Sequence, residues 1–261
     1  MVSRRRSEFE RAKLILELDL GNTRAKWRIV TDCSEIVAQD VANIGDWLEG
    51  RFPSAWHLGV ERARIASVLS LARESRLIGK MQSELAISAQ LAQSTSTCSG
   101  VSNAYTNPSH LGVDRWLALI AAYKLRQEAV MVVDVGTALK VDAADDAGRH
   151  IGGYIIPGAA LMESALLQGT DRVRYEEGRP IESLALGRDT RSCVQHGITA
   201  ALVGAVMIAI EQFKMVLGRQ PSLCITGGSG ALLKQRFDGL GILDISFEAD
   251  LVLDGLRWVL P

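Results

Sequence analysis

Two short turns, each with an aspartate, a glycine and a threonine, carry residue types that suit phosphate chemistry. An apolar run at 129–133 ends in Asp134-Val-Gly-Thr137, and a second run near the start ends in Asp19-Leu-Gly-Asn-Thr23. A glycine lets the backbone approach a ligand closely, and neighbouring N–H groups and a hydroxyl can then bind phosphate. The carboxylate at each strand end can hold a cation. The same pattern also fits two ordinary hairpins, and the spacing alone favours neither interpretation.

The elements that must position these turns are strands. A β-like run follows each turn, at 26–30 and at 139–143, so each turn is expected to join two strands. Because the pattern occurs twice and each copy opens one half of the chain, it suggests an internal duplication. Two such halves facing each other would form a cleft with two phosphate-facing turns. Lys26, just past the first turn, could reach a phosphate or could be a solvated strand lysine.

A third candidate group lies at the start of a helix. Pro108 and Gly112 break regular structure, and an apolar helical face begins at Val113, which places Asp114 in the first turn. An acid there is favoured by the helix dipole and by unpaired N–H groups, so its position alone has a structural explanation. Arg115 could form a surface ion pair or could bind a carboxylate at the mouth of a cleft.

The second half of the chain adds a glycine-rich turn and a long helix. The turn at 226–230 follows a strand pattern and precedes a helix, which is a natural phosphate site, although a plain tight turn fits equally well. A helix is predicted over 191–217 and, being rich in alanine and β-branched residues, is expected to be largely buried. Thr190 is positioned to cap it. The segments 94–103 and 169–188 are expected to be a loop and a mobile connection.

Composition excludes several classes of function. The chain has 261 residues, 48% of them hydrophobic, and a net charge of -1, so charge implies no attraction to nucleic acid or membranes. The four cysteines lie far apart, which argues against a zinc ribbon or a disulfide framework and fits the reducing cytoplasm. Residues 1–12 are expected to be a flexible tail, and the nearly apolar stretch 198–210 is too short to span a bilayer.

Several short motifs occur in a fixed order, and the ordered set is more specific than any member. They are Asp19-Leu-Gly-Asn-Thr-Arg-Ala-Lys26, Tyr105, Gly112-Val-Asp-Arg115, Asp134-Val-Gly-Thr-Ala138, Gly153-Tyr-Ile-Ile-Pro-Gly158, Thr190, Thr226-Gly-Gly228 and Leu251-Val-Leu-Asp-Gly-Leu256. This set resembles the type III pantothenate kinases, a family that includes the Bvg accessory factors. The resemblance covers nearly all of the chain beyond the tail.

The resemblance implies an α/β fold of the actin-like ATPase class, as in acetate and sugar kinases, with two duplicated ribonuclease-H-like halves around a cleft. We expect the N-terminal half over 13–127 and the C-terminal half over 128–261. The implied activity is ATP-dependent phosphorylation of pantothenate to 4'-phosphopantothenate, the first step of coenzyme A biosynthesis. Asp114 would be the catalytic base.

The resemblance also implies the ligands of each residue. ATP would contact Asp19, Gly21, Asn22, Thr23, Lys26, Thr137, Thr226, Gly227 and Gly228. Pantothenate would contact Tyr105, Gly112, Val113, Asp114, Arg115 and Thr190. Asp19 would lie near Mg²⁺, and Asp134 would hold a monovalent cation, K⁺ or NH₄⁺. Family members are usually homodimers, so we expect a homodimer, with neither nucleic acid nor membrane as a partner.

Two residues depart from the family pattern, and the smaller departure is Ala249, where the family's C-terminal motif usually has proline. Lys140 stands where the family usually has a threonine. The lysine could replace a hydroxyl contact to phosphate with a charge, could occupy the surroundings of the cation site, or could block that site. Two other functions therefore stay open: a non-catalytic accessory or regulatory relative, and an actin-like-fold kinase or phosphatase for another substrate. Retention of Asp19, Asp114 and Asp134 argues against the first, and Tyr105 with residues 112–115 argues against the second.

Overall fold

The computed structural model describes residues 13–176, 183–241 and 244–261. They form two compact units. The first holds the described residues up to 99 together with 105–121 and 252–261, and the second holds those of 100–104 and 122–251. The sequence-based division at 127/128 had assigned the last ten residues to the second half. The predicted tail at 1–12 and positions 177–182 of the predicted connection lie outside the described residues.

Each unit is built on a five-stranded mixed sheet. The strands of the first are β1 (Leu14–Leu20), β2 (Arg24–Thr31), β3 (Ile36–Asn43), β4 (Val60–Ser67) and β5 (Ser88–Leu91). Two very short strands follow, β6 (Thr97–Cys98) and β7 (Val101–Ser102). The strands of the second sheet are β8 (Val130–Val135), β9 (Ala138–Ala144), β10 (His150–Pro157), β11 (Ser222–Thr226) and β12 (Ile245–Phe247).

The described α-helices are interspersed with these strands along the chain, and the last helix follows the last strand. In chain order they are α1 (Ile44–Leu48), α2 (Leu71–Leu85), α3 (Val113–Arg126), α4 (Ala159–Gly169), α5 (Thr190–Leu217), α6 (Gly230–Gly239) and α7 (Leu251–Val259). Short 3₁₀ turns occur at Ser54–His57 and Pro108–His110. The three strands predicted over 14–41 and the helix predicted to begin at or just after Gly112 are confirmed. The loop predicted at 94–103 was wrong in part, because it contains β6 and β7.

The two sheets have the same topology. Their strand orders are β3-β2-β1-β4-β5 and β10-β9-β8-β11-β12. In both, the first strand of the unit pairs antiparallel with the second and parallel with the fourth. The equivalences β1 with β8, β2 with β9 and β4 with β11 follow directly. The duplication inferred from the two Asp-x-Gly turns is therefore present in the fold.

Aromatic residues and a buried ion cluster hold the first unit together. Trp56 makes edge contacts with the rings of Trp27 and Trp47 and stacks on that of Phe52. Such pairs stabilise beyond their buried area.

On the opposite face of the sheet from Trp27, the carboxylate of Glu17 on β1 is only 2% exposed and accepts hydrogen bonds from Arg28 of β2 at 2.6 Å and Arg64 of β4 at 3.0 Å. Arg28 also donates to Asp254 of α7 at 2.8 Å. Burial works against the charge of Arg28, but Glu17 and Asp254 raise its pKa overall. This charged cluster attaches α7 to the first sheet, and it explains why the C-terminal residues belong to the first unit.

The long helix α5 packs one face on the second sheet. Its buried residues, among them Leu202, Val206 and Phe213, join the core formed with β8, β9 and β11. The prediction that α5 is largely buried was wrong, since Ile208, Met215 and others are exposed. Its 28 residues are long and apolar enough to cross a membrane by length and composition alone. Its packed face gives it the role of a core helix in this unit.

The start of α5 corrects a second prediction. The N-cap is Asp189, not Thr190, because the Asp189 side chain accepts from the backbone N–H of Ser192 at 2.9 Å. The Ser192 side chain in turn accepts from the backbone N–H of Asp189 at 3.2 Å, which completes a capping box. Both residue types suit a cap, and the choice between adjacent residues depends on where the backbone turns.

Candidate functional site

The turn between β1 and β2 displays the first predicted phosphate ligands. Asp19 and Lys26 face each other across the two strands, in direct register, and both are partly buried. Beyond them the turn closes with a hydrogen bond from Gly21 N to the carbonyl oxygen of Arg24 at 3.1 Å. A Cβ at Gly21 would lie 2.8 Å from that oxygen, so the turn needs a residue without a side chain.

The tip of the same turn is open to solvent. The side chains of Asn22 and Thr23 are exposed. The guanidinium of Arg73 on α2 donates to the carbonyl oxygen of Asn22 at 3.3 Å and so supports the tip of the turn. The turn therefore presents a hydroxyl, an amide and backbone groups together with a half-buried acid and a half-buried lysine. These are the groups that a polyphosphate binds.

The turn between β8 and β9 repeats the arrangement in the second unit. Asp134 and Lys140 are in direct register, and Lys140 Nζ lies 2.9 Å from Asp134 Oδ2. Their side chains are 21% and 23% exposed, so the ion pair is partly shielded from water. The turn closes with a bond from Gly136 N to the carbonyl oxygen of Ala138 at 3.1 Å, and Thr137 is exposed at its tip.

The glycine-rich turn after β11 lies against this acid. Thr226 pairs in parallel register with Asp134, and a Cβ at Gly227 would come within 2.5 Å of Asp134 Oδ1. Gly227 has φ +90, a conformation that other residues rarely adopt. Ser229 N donates to the carbonyl oxygen of Val135 at 3.1 Å, which fastens the turn to the end of β8. Gly228 is exposed, and nothing lies within 4 Å of the position of its missing Cβ.

The end of β10 also supports the Asp134 turn. Gly158 N donates to the carbonyl oxygen of Thr137 at 2.9 Å. A Cβ at Gly158 would lie 2.3 Å from the carbonyl oxygen of Gly136, so only glycine allows this approach. Gly158, which follows Pro157 at the end of β10, therefore has a specific structural role, which is to hold the β8–β9 turn.

The third group is at the start of α3, in the first unit. Asp114 and Arg115 are 9% and 7% exposed. Asp114 Oδ1 accepts from the backbone N–H of Arg115 at 2.9 Å, and a Cβ at Gly112 would lie 2.8 Å from that same oxygen. Arg115 Nη1 donates to the hydroxyl of Tyr105 at 2.9 Å, with the guanidinium 5.8 Å from the ring centroid. The glycine thus makes room for the carboxylate, and a hydrogen bond joins the arginine to the tyrosine.

The structure brings most of the predicted residues into three local groups. Residues 19–26 form one, Tyr105 with Gly112, Asp114 and Arg115 forms the second, and the Asp134 turn with 226–228 forms the third. Val113 is buried in α3 and contributes packing through its side chain. Thr190 is exposed in the first turn of α5, beside the capping box, and belongs to none of these groups of described contacts.

Two residues of the third group were absent from the predicted ligands. Lys140 is the direct partner of Asp134, and Gly158 supports the turn. The signal for Lys140 was available in the sequence: in a tight hairpin that pairs Val135 with Leu139, Asp134 lies opposite Lys140. The signal for Gly158 was only its place after Pro157, because a contact between sequence-distant backbones leaves no local pattern.

The chemistry of the donors limits what each group can hold. In the described ranges 13–176, 183–241 and 244–261, no cluster of three or more His, Cys, Asp or Glu could bind a metal by itself. A single carboxylate such as that of Asp19 suits Mg²⁺, because proteins commonly hold this ion with one or two carboxylates together with the phosphates of a substrate. Asp134 differs, because an ammonium group already lies against its carboxylate.

Comparison with known proteins gives a consistent result. A family model described as type III pantothenate kinase matches residues 15–212. The type III pantothenate kinase of Pseudomonas aeruginosa (strain UCBPP-PA14) is 37% identical over 254 residues, covering 95% of this chain and 99% of the relative. That of Pseudomonas putida (strain F1) is 32% identical over 252 residues, with the same coverage.

Solved structures agree on the fold. A Campylobacter jejuni protein described as a Baf family transcriptional activator matches with a TM-score of 0.60 and 20% identity, covering 94% of this chain and 96% of its own. A Listeria monocytogenes protein described as an N-acetylmannosamine kinase matches with a TM-score of 0.51 and 13% identity, covering 95% and 98%. At these identities the likeness concerns the fold, and the fold is that of the actin-like ATPases and sugar kinases.

Proposed function

The chain belongs to the type III pantothenate kinase family, and from that membership we propose that it transfers the γ-phosphoryl group of ATP to pantothenate. The product is 4'-phosphopantothenate, and the reaction is the first step of coenzyme A biosynthesis. The observation that carries the proposal onto this chain is the group at the start of α3, where the buried carboxylate of Asp114 accepts from the backbone N–H of Arg115, whose guanidinium donates to the hydroxyl of Tyr105.

Asp114 has the position for a general base. Its carboxylate accepts from the backbone N–H of Arg115 at 2.9 Å, which fixes its orientation. In the reaction it would accept the proton of the primary hydroxyl of pantothenate as that oxygen attacks the γ-phosphorus and ADP leaves. Phosphoryl transfer depends mainly on positioning and charge stabilisation, so a well-oriented carboxylate is sufficient.

Arg115 and Tyr105 would recognise the rest of the substrate. Pantothenate ends in a carboxylate, and a guanidinium binds carboxylates with paired, directional hydrogen bonds. The tyrosine hydroxyl accepts from Arg115 at 2.9 Å and holds the guanidinium in place. Gly112 and Val113 would contact the substrate through the backbone that leads into α3, and Thr190 would do so from the start of α5.

The turn between β1 and β2 would bind the phosphates of ATP. Gly21, Asn22 and Thr23 offer backbone N–H groups and polar side chains at an exposed tip, and Lys26 adds a positive charge next to them. Asp19 would bind Mg²⁺ together with the phosphate oxygens, which is how this ion is usually held in kinases. When bound, Mg²⁺ supplies positive charge that offsets the phosphate oxygens.

The second unit would contribute to nucleotide binding. Thr137 is exposed at the tip of the β8–β9 turn, and the glycine turn of Thr226, Gly227 and Gly228 leaves open space beside Gly228 for a flat base or ribose. The potassium or ammonium ion that the resemblance implies at Asp134 faces a competing charge, because Lys140 Nζ lies 2.9 Å from that carboxylate.

A homodimer is the proposed assembly. The second unit exposes large apolar side chains on β10, α4 and α5, namely Tyr154, Ile155, Leu161, Leu166, Ile208, Met215 and Val216. Exposed apolar side chains in such number are a feature of interaction surfaces. A second copy of the chain is the occupant that the family resemblance implies. The four cysteines are free, which fits the cytoplasm as the proposed location.

The reaction is tested by ADP release from purified protein with ATP and Mg²⁺, with and without pantothenate. Pantothenate-dependent turnover is expected. The variant Asp114→Asn should lower kcat by about 10²–10⁴-fold, the usual contribution of a general base. Asp32→Asn, at an exposed turn, is the matched control and should keep wild-type turnover.

Two results would overturn the proposal. Folded protein that releases no ADP with pantothenate in any salt would leave the non-catalytic relative as the better description. Equal turnover by the Asp114→Asn variant would remove Asp114 from the role of base. The proposed contact between Arg115 and the pantothenate carboxylate has a separate test. An Arg115→Ala variant with an unchanged KM for pantothenate would contradict that contact.

A further inference from the structure

The ion pair between Asp134 and Lys140 is built into the second hairpin. The two residues are paired in register on adjacent antiparallel strands, so their side chains lie on the same face of the sheet. Lys140 Nζ lies 2.9 Å from Asp134 Oδ2, the distance of a charge-assisted hydrogen bond. Each side chain is less than a quarter exposed, so the pair is less screened than a surface ion pair.

The other carboxylate oxygen is also enclosed. Asp134 Oδ1 lies so close to the backbone of Gly227 that a Cβ there would come within 2.5 Å of it. The carboxylate is therefore held between the ammonium group on one side and the glycine turn on the other. A free monovalent cation at this carboxylate would have to lie next to an ammonium of the same charge. The residues around Asp134, with Lys140 in place, do not fit a resident potassium or ammonium ion.

We propose that the Lys140 ammonium acts as a tethered monovalent cation, which makes the kinase independent of potassium and ammonium ions. The inference rests on the proposed function, since it concerns the charge beside the nucleotide-binding turn. An alkylammonium carries the same single charge as the free ion and offers N–H donors to oxygen ligands. Because it is covalently attached, its local concentration does not depend on the salt.

The substitution Lys140→Thr tests the proposal. It removes the ammonium and restores the residue that the family usually has. Turnover of the wild-type protein should change less than about twofold among potassium, ammonium, sodium and choline chlorides at equal ionic strength. The Lys140→Thr variant should lose about ten- to hundredfold in choline, the loss expected for one charge-assisted contact, and recover in potassium or ammonium.

Three further variants separate charge from other effects. Lys140→Arg keeps a cation and should stay independent of potassium. Lys140→Met keeps the length of the side chain without charge or oxygen, and should be slow in every salt. Lys234→Thr is the matched control, since Lys234 is also a paired lysine of the second unit, 2.7 Å from Asp238 on α6. It should show no potassium dependence.

Thermal unfolding supplies a readout that does not need turnover. Potassium should raise the melting temperature of Lys140→Thr relative to choline, because the ion binds only the folded variant. It should not raise that of the wild-type or Lys234→Thr proteins. The shift in melting temperature can be measured even in a protein without kinase activity. The failure of this inference and the failure of the proposed function therefore remain distinguishable.

Two outcomes would overturn the inference while leaving the kinase intact. The first is wild-type turnover that rises tenfold or more with potassium or ammonium. The second is a Lys140→Thr variant whose turnover and melting temperature are both indifferent to potassium. Absence of pantothenate-dependent turnover in every salt would instead count against the proposed function, and the melting data would then decide on Lys140.

Discussion

The hairpins β1–β2 and β8–β9 occupy equivalent places in the two sheets, and each sets an aspartate opposite a lysine. Asp19 faces Lys26, and Asp134 faces Lys140. The first turn is one residue longer and ends in an exposed tip. The second is fastened by Gly158 and the turn at Gly227. Both hairpins therefore set an acid opposite a lysine, although in the second the lysine stands where the family usually has a threonine.

The two sheets differ more strongly at the positions that lie two residues before Asp19 and Asp134. In the first, Glu17 is buried between Arg28 and Arg64. The register makes Val132, Asp142 and Cys224 the equivalent positions in the second. Burial raises the pKa of the Cys224 thiol, which keeps it protonated. The same topology therefore forms around one carboxylate and two guanidinium groups in the first sheet, and around Val132, Cys224 and a buried Asp142–His150 pair in the second.

The largest expected effect is at the buried cluster. Glu17→Gln would leave two buried guanidinium groups without their shared counter-charge, and breaking a buried ion pair in this way costs about 3–5 kcal/mol. The control Glu61→Gln makes the same change at an exposed position of β4 and should stay within about 0.5 kcal/mol. Urea unfolding of both variants measures the difference. Equal, small losses would mean that the two sheets are more alike than their charges suggest.

A second prediction separates the two lysines. Lys26→Met should raise the KM for ATP by about ten- to hundredfold, as expected for loss of one charge-assisted contact, and potassium should not restore it. Lys13→Met, at an exposed position before β1, should leave the KM unchanged. Steady-state kinetics in potassium and choline chlorides measure both. If potassium restored the KM of the Lys26→Met variant for ATP, the two hairpins would respond to the ion in the same way. That result would contradict the difference drawn between them.

A third prediction concerns the glycine turn that encloses only the second aspartate. Gly227→Ala should destabilise by about 1–3 kcal/mol, because alanine is strained at φ +90 and its Cβ would come within 2.5 Å of Asp134 Oδ1. Gly228→Ala is the matched control, since nothing lies within 4 Å of its Cβ position. Thermal and urea unfolding compare the two. A Gly227→Ala protein as stable as Gly228→Ala would contradict the enclosure of that carboxylate.

The smallest expected effect is a pH dependence at the turn after β9. Burial alone would raise the pKa of Asp145, but hydrogen bonds from the Ala147 and Arg149 backbones and from the Arg149 side chain lower it overall. A depressed folded-state pKa stabilises above the unfolded value near 4, and the contribution disappears as pH falls through the lower folded value. Asp32 opens the equivalent turn after β2 and is exposed.

Melting curves between pH 3 and pH 7 test this prediction. Asp145→Asn should be less stable than wild type by a constant amount from pH 5 to pH 7, with the gap narrowing below about pH 4. Asp32→Asn should follow the wild-type curve throughout. A gap at Asp145 that does not change with pH would show that the amide replaces the carboxylate fully in this turn.

The sequence predicted local and repeated features well. The three strands before 44, the helix at Gly112 and the two Asp-x-Gly turns each have a signal within about ten residues, since periodicity and turn residues act locally. The choice of Asp189 over Thr190 as the cap was missed, because both types suit the position and only the backbone distinguishes them. The site's framework was harder still. Gly158 lies on Gly136 through contacts that connect distant strands, and no local pattern records them.

The tryptophans also give the molecule a useful optical asymmetry. All five, at 27, 47, 56, 116 and 258, belong to the first unit, and three of them surround one another in its core. Intrinsic tryptophan emission therefore reports on the first unit alone, whereas circular dichroism of the helices reports on both. Coincident transitions by the two methods would indicate that the units unfold together. If the two transitions are separate, the one seen by fluorescence belongs to the first unit, and no extrinsic label is needed to assign it.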